Sequence, residues 1–238
     1  MTEWFEEWFG EEYLHLYPHR DDADAERLVA LLRRTLPWRD GWRVLDFGCG
    51  AGRHARALAE AGARPVGIDL SLSLLRRARE VTAAPLIRAD LRHPPVRPRS
   101  VDLAVNLFTS FGYFDTDVEH ASALAAMAGT VRPGGWFVLD FLEADTVRRS
   151  LVAHEAHGPD ALITAVDRAL SPDGRFVTKT IVTRDGRTYS ERVRLFTPAE
   201  LGSLLASAGV EVAHRFGDYD GGGPRPGAPR AIFAGRCR

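Results

Sequence analysis

Short apolar runs alternate with helical segments between residues 43 and 142, and this alternation restricts the chain to a small set of folds. Five of the runs have the composition of strands, the first being WRVLDFGC and the last WFVLDFL. The fourth, VDLAVNLF, is almost uniformly apolar, as expected of a strand buried on both faces. Strands joined by helices pair in parallel through right-handed crossovers. We therefore expect an α/β fold with a doubly wound, mostly parallel sheet.

The pattern changes after residue 142. Three β-rich runs, ALITAVDRAL, RFVTKTIVTR and RTYSERVRLF, are separated by SPDG and DG, which are strong hairpin turns. They predict an antiparallel β meander inserted into the α/β core and lying over the active site. The helix TPAELGSLLASAG has a complete start signal, with Thr197 as N-cap, Pro198 at the first position and Glu200 closing a capping box. Two last strands, VEVAHRF and RAIFAGR, bring the core sheet to seven.

A chain of 238 residues is long enough for one large domain with a sizeable core. We divide this single domain into four segments by their pattern. Residues 1–40 form N-terminal helices and a lid, and residues 41–142 form the cofactor-binding core. Residues 143–196 form an antiparallel substrate cap, and residues 197–238 return a helix and strands to the core.

Composition excludes several classes of function. The formal net charge is −1 and no basic run is present, so neither nucleic acid nor an anionic membrane is favoured as a partner. The start of the chain is acidic and aromatic, and we expect no signal peptide there. No apolar stretch approaches the ~20 residues of a membrane span. Cys49 and Cys237 lie far apart and suggest no disulfide framework, which favours the cytoplasm.

The stretch VLDFGCGAGRHA places an acid and three glycines at alternate positions: Asp46, Gly48, Gly50 and Gly52. Ligands bind doubly wound sheets at the carboxyl ends of the strands, where glycines allow a close backbone approach. The dinucleotide fingerprint G-x-G-x-x-G would need glycine where Arg53 stands. A pyrophosphate would also be repelled by Asp46, whereas the cationic S-adenosylmethionine would be attracted. The alternative is that the glycines form only a tight strand-to-helix turn and bind no ligand.

With these residues the chain resembles class I S-adenosylmethionine-dependent methyltransferases over nearly its whole length. VLDFGCGAGRHARALA matches the first motif of that family, and VRPGGWFVLDF matches the last. PVGIDLS, IRADLR and NLFTSFGYF match the motifs between them. The resemblance implies a Rossmann-like fold, S-adenosylmethionine as cofactor, and SN2 transfer of its methyl group to an N, O or C nucleophile. FTSFGYF and the late meander resemble the branch that acts on small molecules.

The resemblance also implies which residues contact the methionine portion of the cofactor. The backbone of the glycine loop would line it, Asp46 would lie near its ammonium group, and residues ending the fourth strand would approach it from the other side. The residues concerned are Asp46, Gly48, Cys49, Gly50, Asn106 and Leu107.

The remaining cofactor contacts are implied for the ends of the second and third strands. Asp69, followed by Leu70, would accept both ribose hydroxyls, and the alternative for Asp69 is a helix N-cap. Asp90 would accept from the adenine amino group, with the alternative of a turn residue. The backbone N–H of Leu91 would meet a ring nitrogen.

We expect the acceptor beside the strand-four loop. Phe111 and Tyr113 would form apolar walls, Tyr17 would close over the pocket, and Arg194 of the meander would offer a charge to the acceptor. The alternative is that these are ordinary packing or surface residues. Tyr113 and His19 are within plausible reach as a base, but the sequence assigns no catalytic residue. The histidines show no metal-ligand spacing, so we expect no metal.

Four other functions compete with this interpretation. A base-flipping amino methyltransferase would carry a D/N-P-P-Y/F/W motif, but Leu107 and Phe108 follow Asn106. A dehydrogenase fails on the glycine spacing. A non-catalytic domain that binds the cofactor remains an alternative, as does a methyltransferase acting on a macromolecule. The sequence leaves the identity of the acceptor and the oligomeric state open.

Overall fold

The computed structural model describes residues 4–16, 22–158 and 161–238. The first half contains six helices and five strands: α1 (Trp4–Trp8), α2 (Glu11–Leu16), α3 (Asp22–Thr35), β1 (Arg43–Phe47), α4 (Arg53–Glu60), β2 (Arg64–Asp69), α5 (Leu72–Val81), β3 (Leu86–Arg88), β4 (Val101–Asn106), α6 (Asp117–Ala128) and β5 (Val131–Leu142). The second half contains α7 (Ala144–Ser150), β6 (His154–Ala156), β7 (Ile163–Leu170), β8 (Phe176–Thr183), β9 (Thr188–Arg194), α8 (Pro198–Ser207), β10 (Val210–Phe216) and β11 (Arg230–Cys237).

The central sheet has seven strands in the order β10-β11-β5-β4-β1-β2-β3. The pairs among β3, β2, β1, β4 and β5 are parallel, and β11 pairs antiparallel with both β5 and β10. The strand order reverses between β1 and β4, so their carboxyl ends open a crevice. This arrangement confirms the predicted doubly wound, mostly parallel sheet.

Apolar side chains cover both faces of the central sheet. On one face Phe137 and Leu139 pack with Leu124 of α6 and Leu201 of α8. On the other face the alternate residues of the same strands, among them Val138, pack against α3 and α4. Two buried faces explain why the central strands read as continuous apolar runs rather than as an alternation.

The meander forms a separate four-stranded sheet in the order β6-β7-β8-β9, with every pair antiparallel. Its last three strands are the predicted ones. The short helix α7 and the edge strand β6 were not predicted. Residues 154–156 of β6 are too few to show the alternation of a strand. Helix α7 begins after Glu143, whose carboxylate accepts the N–H groups of Asp145 and Thr146.

One segment with the composition of a turn is part of a strand. RPGG, residues 132–135, contains proline and two glycines, but β5 begins at Val131 and includes it. The pairing with β4 shifts from Val101↔Val131 to Leu103↔Trp136, so the extra residues form a bulge. Gly134 lies there at φ +75°. The glycines therefore serve a strand irregularity and not a chain reversal.

The start of α8 has the predicted capping box, which leads to the first testable prediction. The Thr197 hydroxyl accepts from Glu200 N–H at 3.2 Å, and the Glu200 carboxylate accepts from Thr197 N–H at 2.7 Å. We expect Thr197→Ala to lower the free energy of unfolding by about 1 kcal/mol, measured by urea denaturation. Ser203→Ala, an exposed site on the same helix, is the control and should change it by less than about 0.5 kcal/mol. Equal losses in both variants would contradict the capping role.

Candidate functional site

A cavity of about 600 Å³ opens at the carboxyl ends of β1, β2 and β4. This volume lies within the roughly 300–1,000 Å³ typical of small-molecule sites. Of the predicted site residues, the cavity is lined by Gly48, Cys49, Gly50, Asp69, Leu70, Asp90, Leu91, Leu107, Phe111 and Tyr113. The fold thus gathers residues from four separate predicted motifs around one space.

The glycine loop between β1 and α4 has left-handed backbone at each of its three glycines, with φ of +71° at Gly48, +53° at Gly50 and +86° at Gly52. A Cβ atom on Gly48 would lie 2.4 Å from the Ser110 Cβ, because the strand-four loop crosses there. A Cβ on Gly52 would lie 3.0 Å from the Ala78 Cβ of α5. Glycine is therefore required both by conformation and by close packing.

Asp69 organises the glycine loop from the end of β2. One carboxylate oxygen accepts the Gly50 N–H at 2.8 Å, and the other accepts the Ser71 N–H at 2.8 Å. Burial raises the pKa of Asp69 above its usual value despite these bonds. The N-cap of α5 is Ser71, whose hydroxyl accepts from Leu74 N–H, so the capping alternative for Asp69 is wrong.

Asp46 lies behind the glycine loop at the end of β1, with only 1% of its surface exposed, and it does not itself line the cavity. Its Oδ2 atom is buried and has no hydrogen-bond partner in the protein. Burial and the charge of Asp69 raise the pKa of Asp46 to about 7, opposed by Arg53 and by the backbone N–H of Ala55. A buried carboxylate oxygen without a donor is costly, and a cationic ligand would offset that cost.

Asp90 is paired with an arginine that the sequence reasoning missed. Arg92 contacts its Oδ2 through Nη2 at 2.6 Å and through Nε at 2.9 Å. Burial alone would raise the pKa of Asp90, but the hydrogen bonds and charge of Arg92 together lower it. The signal was present in the sequence as an acid followed two positions later by an arginine.

The last residue of β4, Asn106, and the residue after it, Leu107, have different roles. Leu107 lines the cavity. Asn106 is fully buried and does not, and its amide donates to Phe47 O at 3.0 Å and to Ser110 O at 3.2 Å. These bonds join the loops after β1 and β4. We therefore correct the expected cofactor contact of Asn106 to a role in holding the two loops together.

The N-terminal helices form one wall of the cavity. Phe5, Phe9 and Tyr13 line it, although an aromatic cluster in a short helix is more often part of the core. The Tyr113 ring completes this wall, with centroids 5.4 Å from Phe9 and 5.5 Å from Trp4. Tyr17 and His19, named as lid and base candidates, lie outside the described residues.

Arg194 does not reach the cavity, and the expectation that it meets the acceptor is corrected. Its side chain is only 2% exposed and donates to Asp117 at 3.2 Å and to Glu200 at 2.8 Å. The guanidinium also donates to Leu195 O and stacks on Phe196. The positive charge of Arg194 is paired with Asp117 of α6 and Glu200 of α8, where the meander meets these two helices.

The meander supports the site indirectly. No described residue of 143–196 lines the cavity, so the expectation of a substrate cap needs correction. Instead β9 packs against α1: Trp8 Nε1 donates to Glu191 at 2.5 Å, and the Trp8 and Tyr189 rings lie 4.8 Å apart. Arg187 pairs with Glu12 of α2 at 3.0 Å. The inserted sheet thus holds the helices that wall the cavity.

His54, in the first turn of α4, is a cavity residue that sequence reasoning did not single out. The imidazole is 6% exposed. Burial and the guanidinium groups of Arg53 and Arg230 hold its pKa well below the usual value, so it is neutral at neutral pH.

Among residues 4–16, 22–158 and 161–238, no cluster of three or more His, Cys, Asp or Glu side chains could hold a metal ion. Within the same ranges, no helix has the length and apolar character to cross a membrane.

Comparison with known proteins agrees with this geometry. A family model described as a methyltransferase domain matches residues 44–135. The chain is 28% identical over 232 residues to the dTDP-3-amino-3,4,6-trideoxy-alpha-D-glucopyranose N,N-dimethyltransferase of Streptomyces venezuelae, covering 90% of each. It is 30% identical over 189 residues to a ubiquinone biosynthesis O-methyltransferase of Bordetella pertussis, covering 63% of this chain and 78% of that one.

A solved structure extends the similarity to the whole fold. The sugar N-methyltransferase KedS8 from Streptoalloteichus sp. is 27% identical, with a TM-score of 0.70 and coverage of 96% of this chain and 94% of that chain. The chain belongs to the S-adenosylmethionine-dependent methyltransferases, and S-adenosylmethionine is its cofactor.

Proposed function

We propose that this enzyme N-methylates the amino group of a small molecule, with an amino sugar as the best-supported acceptor. The observation that carries the proposal is similarity along nearly the whole chain, including the segments outside the cofactor core. Two relatives at 28% identity, each matched over 90% of this chain, are named as N,N-dimethyltransferases of dTDP-amino sugars. The similarity to the O-methyltransferase covers a smaller part, 63% of this chain.

The cavity chemistry supports an amine acceptor. A neutral amine can attack with its own lone pair and lose a proton afterwards, whereas an alcohol or phenol needs a base. Each carboxylate that lines the cavity already has a donor: Asp22 pairs with Arg56 at 3.2 Å, Asp69 accepts two backbone N–H groups, and Asp90 binds Arg92. The cavity histidine His54 is a weak base, because burial and two guanidinium groups hold its pKa well below the usual value. The protein therefore contributes alignment and exclusion of water rather than proton removal.

The residues present fit the cofactor. Asp46, behind the glycine loop with its Oδ2 unpartnered, would attract the ammonium group directly or through a bridging water. The backbone of Gly48, Cys49 and Gly50 would line the methionine portion together with Leu107. Both oxygens of Asp69 keep free lone pairs for the ribose diol, since each accepts one backbone N–H. When bound, S-adenosylmethionine supplies an electrophilic methyl group on a sulfonium.

The far end of the cavity suits the adenine. The Asp90 carboxylate, fixed by Arg92, would accept from the amino group, and the Leu91 N–H would meet a ring nitrogen. Leu70 would stay with Asp69 at the ribose. Phe111 and Tyr113 would wall the acceptor side. Phe111 is 1% exposed and packs edge-on against His120, so its position is rigid.

Two further expectations belong with this function. A small acceptor fits a cavity of about 600 Å³ on a chain of net charge −1 better than a nucleic acid does. The free thiols of Cys49 and Cys237 support a reducing compartment such as the cytoplasm.

The acceptor is tested by mass spectrometry with purified enzyme and S-adenosylmethionine. We expect dTDP-activated 3-amino-deoxyhexoses to gain one and then two methyl masses, and the matched sugar with hydroxyl in place of the amine to gain none. Methylation of a catechol-type phenol but of no amino sugar would replace the proposal with O-methylation. Binding of the cofactor without turnover on either class would favour the non-catalytic alternative.

The role of Asp69 is tested by calorimetry. Asp69→Ala removes hydrogen bonds to the ribose worth roughly 1.5–3 kcal/mol each, so the dissociation constant of S-adenosylhomocysteine should rise at least about tenfold. Asp22→Ala, which also removes a cavity carboxylate, is the control and should change it less than about threefold. An unchanged constant in a folded Asp69→Ala protein would remove Asp69 from the cofactor site.

We expect Asp46 to lower the stability of the ligand-free protein and to strengthen the binding of S-adenosylmethionine. Its pKa is about 7 in the folded protein and near 3.8 in the unfolded chain, so the folded state binds more protons between these values. Stability therefore falls as pH rises from about 4 through 7. We expect ligand-free Asp46→Asn to melt above the wild type at pH 8, with the difference shrinking towards pH 4, and to bind S-adenosylmethionine more weakly. A variant that melts below the wild type at pH 8 would contradict this.

A further inference from the structure

The loop after β4 has a strained backbone at two successive residues. Phe108 and Thr109 have φ of +54° and +63°, the left-handed region that favours glycine. A β-branched residue such as Thr109 is a clear outlier there. Two such residues in sequence persist only where the surrounding structure holds them.

One buried carboxylate, Asp140 of β5, holds this loop. Its Oδ2 accepts the Phe108 N–H at 2.8 Å, and its backbone carbonyl accepts the Thr109 N–H at 3.0 Å. Asp140 is 0% exposed. Both strained residues are therefore fixed by the same residue of the neighbouring strand.

The Asp140 carboxylate is itself positioned from the C-terminal region of the chain. Tyr219 donates its hydroxyl to Oδ2 at 2.9 Å, and Arg230 of β11 donates Nε to Oδ1 at 2.8 Å. Arg230 also reaches the loop directly, since its Nη2 donates to the Thr109 hydroxyl at 3.1 Å. These bonds satisfy a charge that would otherwise be too costly to bury.

The fixed loop carries the rings that wall the cavity. Phe108 lines the cavity, and the guanidinium carbons of Arg53 and Arg230 lie 4.1 Å and 5.4 Å from its ring centroid. Tyr113 also lines the cavity and donates its hydroxyl to Thr109 O at 2.7 Å. A change in the backbone at Thr109 would displace both rings.

We propose that Asp140 is a positioning residue for methyl transfer, which holds the strand-four loop in its left-handed conformation and so places Phe108 and Tyr113 against the acceptor. Tyr219 acts through Asp140, and Arg230 acts both through Asp140 and directly on Thr109 and Phe108. This inference rests on the proposed function, because it assigns the acceptor side of the same cavity. It does not depend on which small molecule is methylated.

The test compares Asp140→Asn and Tyr219→Phe with the control Asp102→Asn. Asp102 pairs with Arg132 at 2.8 Å and accepts the Arg43 N–H at 2.8 Å at the amino end of the sheet, so its loss perturbs an ion pair away from the cavity. Melting temperature, the dissociation constant of S-adenosylhomocysteine, and kcat and KM are measured on any acceptor that the wild type methylates. Hydrogen exchange of peptides covering residues 107–113 needs no acceptor.

We expect kcat/KM for the acceptor to fall at least tenfold in Asp140→Asn and about threefold in Tyr219→Phe, because small misplacements are costly for aligned reactants. The S-adenosylhomocysteine dissociation constant should change less than about fivefold, and exchange at 107–113 should rise. Asp102→Asn should lower the melting temperature without these changes. If Asp140→Asn does not fold, Tyr219→Phe carries the test.

The proposal is overturned if kcat and KM of a folded Asp140→Asn or Tyr219→Phe protein equal those of the wild type, or if Asp102→Asn loses transfer equally. Unchanged exchange at 107–113 would also overturn it. Failure of the wild type on amino sugars with turnover on another acceptor would refute the proposed acceptor alone, and the comparison would then be made on that acceptor.

Discussion

The site depends on the direct contact between the loops that follow β1 and β4. Gly48 and Ser110 approach so closely that no side chain fits between them, and the Ser110 hydroxyl donates to Gly48 O at 3.1 Å. Asn106 adds donors to both loops from a fully buried position. The strand order reverses between β1 and β4, so this contact lies at the base of the crevice. The proposed cofactor and acceptor residues therefore stand on the same pair of joined loops.

The core of the fold and most of the proposed cofactor site could be predicted from local patterns. Apolar strand runs, the glycine spacing around Gly50 and the capping box at Thr197 each express a constraint carried within a few residues. The ends of parallel strands meet at one edge of the sheet, so Asp69 and Asp90 could be placed together without knowing any distance.

The acceptor side could not be predicted in the same way, because its geometry depends on long-range packing. On the sequence alone, Arg194 was expected to offer its charge to the acceptor from a meander strand. In the structure its side chain is buried and paired with carboxylates of α6 and α8. The aromatic residues in and just after α1 belong partly to the core and partly to the cavity, since Trp8 packs against β9 while Phe9 lines the cavity. Asp140 gave no signal, because its partners lie 79 and 90 residues away.

The shortness of α1 and α2 has a consequence for how the cavity is built. Helices of five and six residues are far below the length at which a helix is stable by itself in water, so their order comes from the surfaces they touch. Those surfaces are β9, α5 and the rings that face the cavity. A molecule filling the cavity adds apolar contact to Phe5, Phe9 and Tyr13. By linkage, a ligand that contacts these rings would bind more tightly when the helices are formed, and its binding would in turn favour their formation.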